Sequence, residues 1–342
     1  MFSTLIEKLG RHEDLTTDEA AQAMRVIMRG EAAPAQIAGL LIGLSMKGER
    51  PAELVGLARA MRGEAIKLAA PPVDVFDTCG TGGDRSGSFN ISTAAALVIS
   101  AAGVRVAKHG NRSVSSQCGS ADVLEALGVN IAASPAIVER CLHEVGVAFF
   151  FAPTFHPAMR HAGPTRRELG VRTAFNLLGP LTNPAQPARQ IVGVPRPELT
   201  ELMARALMML GVERAWVVHG ADGLDELSTT GYTKVSECRG GTVQTFYVHP
   251  AEYGLAKGSV QDLKGGDAAR NAERVREVLA GTPGPARNVV LLNAGAALFI
   301  AGRAESVRTG IPMAAEAIDS GRARDVLAAL VTHSQAEREP AS

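Results

Sequence analysis

The sequence has no net charge to offer a polyanion. Its 35 Lys and Arg equal its 35 Asp and Glu, which argues against a broad nucleic-acid or membrane footprint and leaves room only for a local basic patch. The eight histidines add positive charge only at lower pH. Cysteine is scarce, with Cys79, Cys118, Cys141 and Cys238 standing alone and no C-x-x-C pair. Zinc and dithiol chemistry therefore gain little support, and isolated thiols suit a reducing compartment, so a cytoplasmic location is expected. Residues 1–8 lack a cationic segment followed by an apolar core, and no signal peptide is expected. No apolar run reaches the roughly 20 residues of a spanning helix. The longest near the end, Val289 to Ala301, is interrupted by Asn293 and glycine and reads as a buried helix. There is no repeat of 20–50 residues and no low-complexity tract.

What is present is an ordinary globular composition, 46% hydrophobic and 20% charged, in a chain of 342 residues. That length favours two subdomains over one core. Residues 1–70 read as helices. Thr16 and Glu19 have capping-box spacing and open a helix running to about Arg29, while Pro34 and Pro51 stand where helices begin. Pro71-Pro72 ends this region. Strands and helices then alternate: a strand at 73–78, a helix from Ser92 to Ala102 closed by Gly103, a strand at 104–107, helices at 120–127 and 135–145, and a strand at 147–151. Later come a helix at 198–210, strands at 215–218 and 243–248, and a mostly helical last ~75 residues. The alternation predicts a largely parallel sheet with helices on both faces.

Chemistry concentrates between Asp77 and Leu127. Cys79-Gly80-Thr81-Gly82-Gly83-Asp84 links a strand to a helix starting near Ser92. Glycines let backbone approach a ligand, and the helix start offers unpaired N–H groups, which together suit phosphate. The segment lacks the Gly-Lys-Ser/Thr of a Walker loop, and Arg85 stands where a dinucleotide fingerprint needs its third glycine. Alone, the same residues are equally a tight strand-to-helix turn. A second loop, Lys108-His109-Gly110-Asn111-Arg112-Ser113-Val114-Ser115-Ser116, also follows a strand and gathers two cations, an amide and three hydroxyls. Two such loops at neighbouring strand ends favour a ligand site over solvated surface. A third element, Asp222-Gly223-Leu224-Asp225-Glu226, suits Mg²⁺ if a phosphate lies nearby, and is otherwise an acidic turn.

These segments together resemble the anthranilate phosphoribosyltransferase family of tryptophan biosynthesis. The resemblance rests on Asp77 to Asp84 with Asn90-Ile91-Ser92-Thr93, on Lys108 to Arg112 leading to Gly119-Ser120-Ala121-Asp122-Val123-Leu124-Glu125, and on Phe151-Ala152-Pro153 through His156-Pro157-Ala158-Met159 to Arg166. Asn176 to Pro184 and His219 to Glu226 complete it, in order over nearly the whole chain. It implies a small all-helical domain, residues 1–72 completed by about 166–188, beside a large α/β domain at 73–342 with a mostly parallel central sheet flanked by helices. It implies a homodimer through the helical domain. Phosphoribosyl diphosphate would be held by Gly80, Gly83, Asp84, Ser88, Asn90, Ile91, Ser92 and Thr93, by Lys108, His109, Gly110, Asn111, Arg112, Ser113, Val114, Ser115 and Ser116, and by Ser120. Two Mg²⁺ ions per subunit are implied, one at Ser92 and one at Asp225 and Glu226. Anthranilate would meet Gly80, Asn111 and Arg166, with Lys108, Asn111 and Arg166 as the catalytic set. Ser88 stands where threonine is common and keeps the hydroxyl, while Gln117 stands where a basic residue is frequent, which implies a slightly lower local phosphate affinity.

The resemblance implies attack of the anthranilate amine on ribose C1 with loss of diphosphate and inversion. His109 is open between general base and loop-ordering residue. Two rival readings are a pyrimidine nucleoside phosphorylase, whose lysine- and serine-bearing phosphate loop is not found here, and an inactive nucleic-acid-binding homologue, which predicts a basic excess and eroded acidic ligands.

Overall fold

The computed structural model describes residues 1–72, 74–84, 86–113 and 117–336. Four helices lead the chain: α1 (Phe2–Gly10), α2 (Thr17–Met28), α3 (Pro34–Lys47) and α4 (Pro51–Gly63). In α1, Phe2, Leu5 and Leu9 fall on one buried face at helical spacing. The capping box forms as expected: Thr16 Oγ1 accepts from the Glu19 N–H at 3.2 Å, and Glu19 Oε2 accepts from the Thr16 N–H at 2.7 Å. Prolines open α3 and α4.

After the prolines come β1 (Phe76–Asp77), α5 (Ile91–Ala101), β2 (Val106–Gly110), α6 (Ser120–Ala126), α7 (Pro135–Glu144) and β3 (Val147–Phe151). Three short helices follow, α8 (Ala152–Phe155), α9 (Gly163–Leu169) and α10 (Ala174–Leu178), then β4 (Arg189–Gly193), α11 (Leu199–Met209), β5 (Arg214–Gly220), β6 (Thr233–Arg239) and β7 (Thr242–Val248). The chain ends in α12 (Ala268–Leu279), α13 (Pro285–Ile300), α14 (Val307–Asp319) and α15 (Arg322–Gln335). The seven-stranded sheet has the order β3-β2-β1-β4-β5-β6-β7. Its first five strands are parallel, and β6 and β7 add an antiparallel hairpin at one edge.

The strand expected at 104–107 begins two residues later and runs on through the first residues of the expected loop. Gly103, at φ +89°, turns the chain out of α5, and pairing starts only at Val106↔Val147 and continues to Gly110↔Phe151. Lys108 and His109 thus belong to a strand rather than to a loop after it. The first strand is shorter than expected, and β4 and β6 were not legible in the pattern. Gln190 and the polar, alternating Thr233–Arg239 obscured them.

Two apolar cores flank the sheet. One lies under α5, α12, α13 and α14 and takes Ile191, Trp216 and Val218 from the sheet. The other takes Val192, Ala215 and Val217 from the opposite face and joins them to α1–α4, α10 and α11. Segment 163–178 crosses to the helical side, where α9 meets α3 and α10 meets α3 and α4.

Inside the helical layer sits one fully buried carboxylate. Glu53 is 0% exposed; it accepts the Leu15 and Arg50 N–H groups, each at 2.8 Å, and pairs with Lys47 at 3.1 Å. Removing it leaves the Leu15 and Arg50 N–H groups without their acceptor and takes one partner from the nearly buried Lys47 ammonium, which keeps Asp14 and the Gly48 carbonyl, each at 2.8 Å. Glu53→Ala should therefore cost about 3–5 kcal/mol in urea unfolding, and Glu53→Gln clearly less. A loss below ~1 kcal/mol for the alanine variant would show that the brace contributes little.

Candidate active site

The C-terminal ends of β1, β2 and β4 open into a cleft of about 770 Å³, where ligands gather in parallel sheets. The turn after β1 forms its floor. The Thr81 N–H donates to the Gly193 carbonyl at 2.9 Å, tying the turn to β4. Gly82 and Gly83 hold φ +63° and +82°, which glycine adopts without strain. Gly80 and Gly193 serve close approach instead. A Cβ on Gly80 would lie 2.8 Å from Asp225 Oδ2, and one on Gly193 would lie 1.5 Å from the Asp225 carbonyl oxygen. Any side chain at these two positions would push Asp225 off the cradle.

Beneath the floor, Asp77 is wholly buried. Its carboxylate accepts the His109 N–H at 3.2 Å and Asn183 Nδ2 at 2.9 Å. Burial pushes its carboxyl up to about 6, against the pull of Asn183 and Lys108. Lys108 Nζ donates to the Thr78 carbonyl at 2.9 Å and to Thr78 Oγ1 and Ser92 Oγ, each at 3.3 Å. An ammonium has three donors, so all are engaged, and burial lowers its pKa. Lys108 acts on the cleft through its charge.

Opposite stands an acidic trio. Ligand atoms of Asp84, Asp225 and Glu226 all lie within 4.8 Å of one another. Asp84 Oδ2 and Glu226 Oε2 are buried without a hydrogen-bond partner. Burial, reinforced by the charge of Asp84, pushes the Asp225 carboxyl up to about 6, and burial with the Asp225 charge holds Glu226 well above the usual carboxylate range. Three mutually repelling carboxylates with orphaned oxygens fit a hard divalent cation. Ser92, the other expected ligand, accepts from the Lys108 ammonium, so a cation at its hydroxyl would compete with that contact.

The third wall comes from segment 152–182. Arg166 stacks over the Phe175 ring at 4.8 Å, is half-buried, and has no anionic partner among the described residues. Desolvation lowers its pKa. Arg172 Nη1 donates to the Gly82 carbonyl at 3.0 Å, joining this wall to the glycine turn.

Of the expected residues, Gly80, Gly83, Asp84, Ser88, Asn90, Ser92, Lys108, His109, Gly110, Asn111, Arg112, Ser113, Ser120, Arg166, Asp225 and Glu226 line this one cleft. Ile91 and Thr93 do not. Both are buried, 0% and 1% exposed, because the inner face of α5 packs into the core. Val114, Ser115 and Ser116 lie outside the described residues. Arg112 lines the cleft with its guanidinium already bound to Asp122 at 2.9 Å and Glu125 at 2.8 Å, so a diphosphate would have to draw it away. Sequence reasoning missed Arg172, Asn183 and Asn271, whose Nδ2 donates to Asn90 Oδ1 at 2.9 Å. Only Asn183 lay inside a motif.

The chain matches two family models, the Glycosyl transferase family helical bundle domain over residues 3–65 and the Glycosyl transferase family a/b domain over residues 73–324. It is 53% identical over 331 residues to the anthranilate phosphoribosyltransferase of Moorella thermoacetica, covering 97% of this chain and 98% of that one. The crystal structure of the Thermus thermophilus enzyme of that name superposes with a TM-score of 0.91 at 46% identity, covering 97% of this chain and 99% of that one. The Saccharomyces cerevisiae enzyme in complex with PRPP and Mg superposes with a TM-score of 0.88 at 26% identity, each chain covered to 97%. The chain belongs to the anthranilate phosphoribosyltransferase family.

Within that family frame, neither rival reading is favoured, since the charge is balanced and the acidic trio is intact. His109 also becomes clearer. Its Nδ1 faces the Gly179 carbonyl at 3.0 Å, so Nδ1 carries the proton and Nε2 is a bare acceptor. Burial, with help from His156 and Lys108, lowers its pKa to about 3. Such a group accepts a proton poorly near neutral pH.

Two outcomes follow from these groups. Replacing His109 by Gln should leave any limb of the pH–kcat/KM profile near the ordinary histidine value of about 6.5 in place; its disappearance would restore the general base. The raised carboxyl pKa values of Asp225 and Glu226 mean that the cation-free folded protein holds protons the unfolded chain releases. That contribution is present below an ordinary carboxylate pKa of about 4 and is lost as pH rises through about 6. A divalent cation replaces those protons. Adding MgCl₂ should thus raise Tm by a few degrees more at pH 8 than at pH 5.5, and Asp225→Asn should remove most of the gain. Equal gains at both pH values would count against the trio as the seat.

Proposed function

We propose that this chain transfers the phosphoribosyl group of 5-phospho-α-D-ribose 1-diphosphate to the amine of anthranilate, releasing diphosphate and forming N-(5-phosphoribosyl)anthranilate in tryptophan biosynthesis. The observation that carries the reading is one cleft with two unlike walls: an acidic trio beside a glycine cradle, and across from it a half-buried arginine with no anionic partner among the described residues.

The cradle Gly80–Asp84, Asn90 and Ser92 at the start of α5, and residues 108–116 with Ser120 would hold the sugar diphosphate. Main-chain N–H groups and hydroxyls there orient the ribose, and the buried charge of Lys108 stabilises the departing diphosphate. Arg112 joins them once released from Asp122 and Glu125. Mg²⁺, two ions per subunit in this reading, would be held by Asp84, Asp225 and Glu226 and by Ser92, and would neutralise diphosphate charge when bound. Arg166 pairs with the anthranilate carboxylate, and Gly80 and Asn111 contact the same substrate. The aryl amine is neutral at pH 7 and attacks ribose C1 as the C–O bond to diphosphate breaks, with inversion. The amine proton is lost after attack, and no strong base is needed to create the nucleophile.

This reading divides the chain into a helical domain of residues 1–72 completed by about 166–188 and a phosphoribosyl diphosphate-binding domain over 73–342. Two copies pair through the helical domain, where Met46 on α3 is 77% exposed. The enzyme works in the cytoplasm. Among the described residues no helix is long and apolar enough to cross a membrane.

Arg166→Ala is the direct test. A charge-assisted pair is worth about 1.5–3 kcal/mol, so KM for anthranilate should rise roughly 10- to 150-fold while KM for the sugar diphosphate changes little. Equal changes in both would remove Arg166 from the anthranilate site. Turnover of anthranilate, followed by its fluorescence, tests the activity itself.

A further inference from the structure

Asn293 is the residue that breaks the long apolar run near the C-terminus, and the chemistry above does not use it. It sits in the middle of α13, among ten other buried residues of that helix, and is itself 4% exposed. A polar amide in such a place needs partners. It finds them in one distant peptide unit and one local carbonyl. Asn293 Oδ1 accepts the Leu227 N–H at 3.0 Å, while Nδ2 donates to the Leu227 carbonyl at 2.8 Å and to the Val289 carbonyl at 2.8 Å. The side chain thus grips both polar groups of the residue directly after Glu226.

The same loop is held from its other end. Asp222 accepts the Leu224 N–H at 3.2 Å and Ser228 Oγ at 2.6 Å, and also accepts from Thr230 Oγ1. The Ser228 N–H donates to Thr233 Oγ1 at 2.9 Å. Asp225 and Glu226 therefore lie between two braces, one internal to the loop and one reaching 66 residues to α13. The helix makes a firm anchor. Gly295, close by on the same helix, packs so tightly on α14 that a Cβ would lie 2.8 Å from the Ile311 nitrogen.

We infer that Asn293 is a positioning residue for cation binding: its amide fixes the main chain at Leu227 so that Asp225 and Glu226 stay beside Asp84 despite their mutual repulsion. The inference rests on the trio being the cation seat. The loop that carries two of the three crowded carboxylates is held by these braces whether or not a cation is present. Outer partners of this kind typically change metal affinity by 10- to 100-fold.

The test measures Mn²⁺ binding to the full-length, metal-stripped protein by the electron paramagnetic resonance signal of the free ion. Wild type is compared with Asn293→Ala, Asn293→Gln, Asp225→Asn and Leu298→Ala, the last a cavity-forming change at a fully buried position of the same helix. Asn293→Ala should weaken Mn²⁺ binding about tenfold and raise the Mg²⁺ concentration for half-maximal turnover equally, with KM for anthranilate within about twofold. Asn293→Gln keeps the amide and should recover part of the affinity; it also serves if the alanine variant does not fold. Leu298→Ala should lower Tm and leave Mn²⁺ affinity unchanged. Equal weakening by Asn293→Ala and Leu298→Ala would overturn the inference and reduce Asn293 to a core residue. If Asp225→Asn bound Mn²⁺ as wild type does, the cation seat itself would be misplaced, and the inference would fall with it.

Discussion

The site depends on bringing three carboxylates together inside the fold. Unpaired carboxylates resist burial, and three within 4.8 Å resist each other as well. Several features of the chain answer that difficulty. Gly80 and Gly193 remove the Cβ atoms that would hold the acidic loop away. Lys108 lies buried below, close enough to lower the cost of ionising Asp77 and Glu226. In the proposed reading, a cation relieves the remaining repulsion. A site whose empty state is electrostatically uncomfortable favours a cation, because the positive charge relieves the repulsion.

The opposite wall follows different physics. Segment 152–182 leaves the sheet after β3, crosses to the helical side, and returns at β4. Its arginines are therefore carried by elements that pack on α3 and α4, while the cradle belongs to the sheet. Arg172 touches the glycine turn from that wall, so the two halves are in contact along the line where a substrate would lie. Arg166 rests on Phe175 rather than on a carboxylate. An aromatic face supports a guanidinium without neutralising it, which leaves the charge available to an acidic substrate.

Much of this was legible in the sequence, for identifiable reasons. Turns and caps speak locally: the Thr16–Glu19 capping box, the helix-opening prolines and the Gly80–Gly83 turn rest on residues close together in the chain, and each appears where expected. The cleft residues were also visible, since the glycine turn, the Lys108 segment and the Asp225-Glu226 pair stand next to one another in short motifs. What stayed hidden depends on distant partners. The start of β2 is set by pairing with β3, not by its own propensity, which moved Lys108 and His109 from loop to strand. Ile91 and Thr93 share a motif with Asn90 and Ser92, yet helical geometry turns them to the core. Arg112 looked free because its acidic partners Asp122 and Glu125 stand ten and thirteen residues on.

The histidine illustrates how environment overrides residue type. In a loop, His109 would titrate near neutrality and invite a catalytic role. In the strand, its N–H group is fixed on Asp77, its ring proton on the Gly179 carbonyl, and its surroundings exclude water. The ring is then neutral, and its Nε2 is buried without a hydrogen-bond partner. Such a nitrogen can accept a hydrogen bond but takes up a proton poorly near neutral pH. In the proposed reaction a weak base suffices, because the aryl amine is already uncharged. In the proposed reading the charged groups of the cradle serve the diphosphate, and Arg166 serves the anthranilate carboxylate.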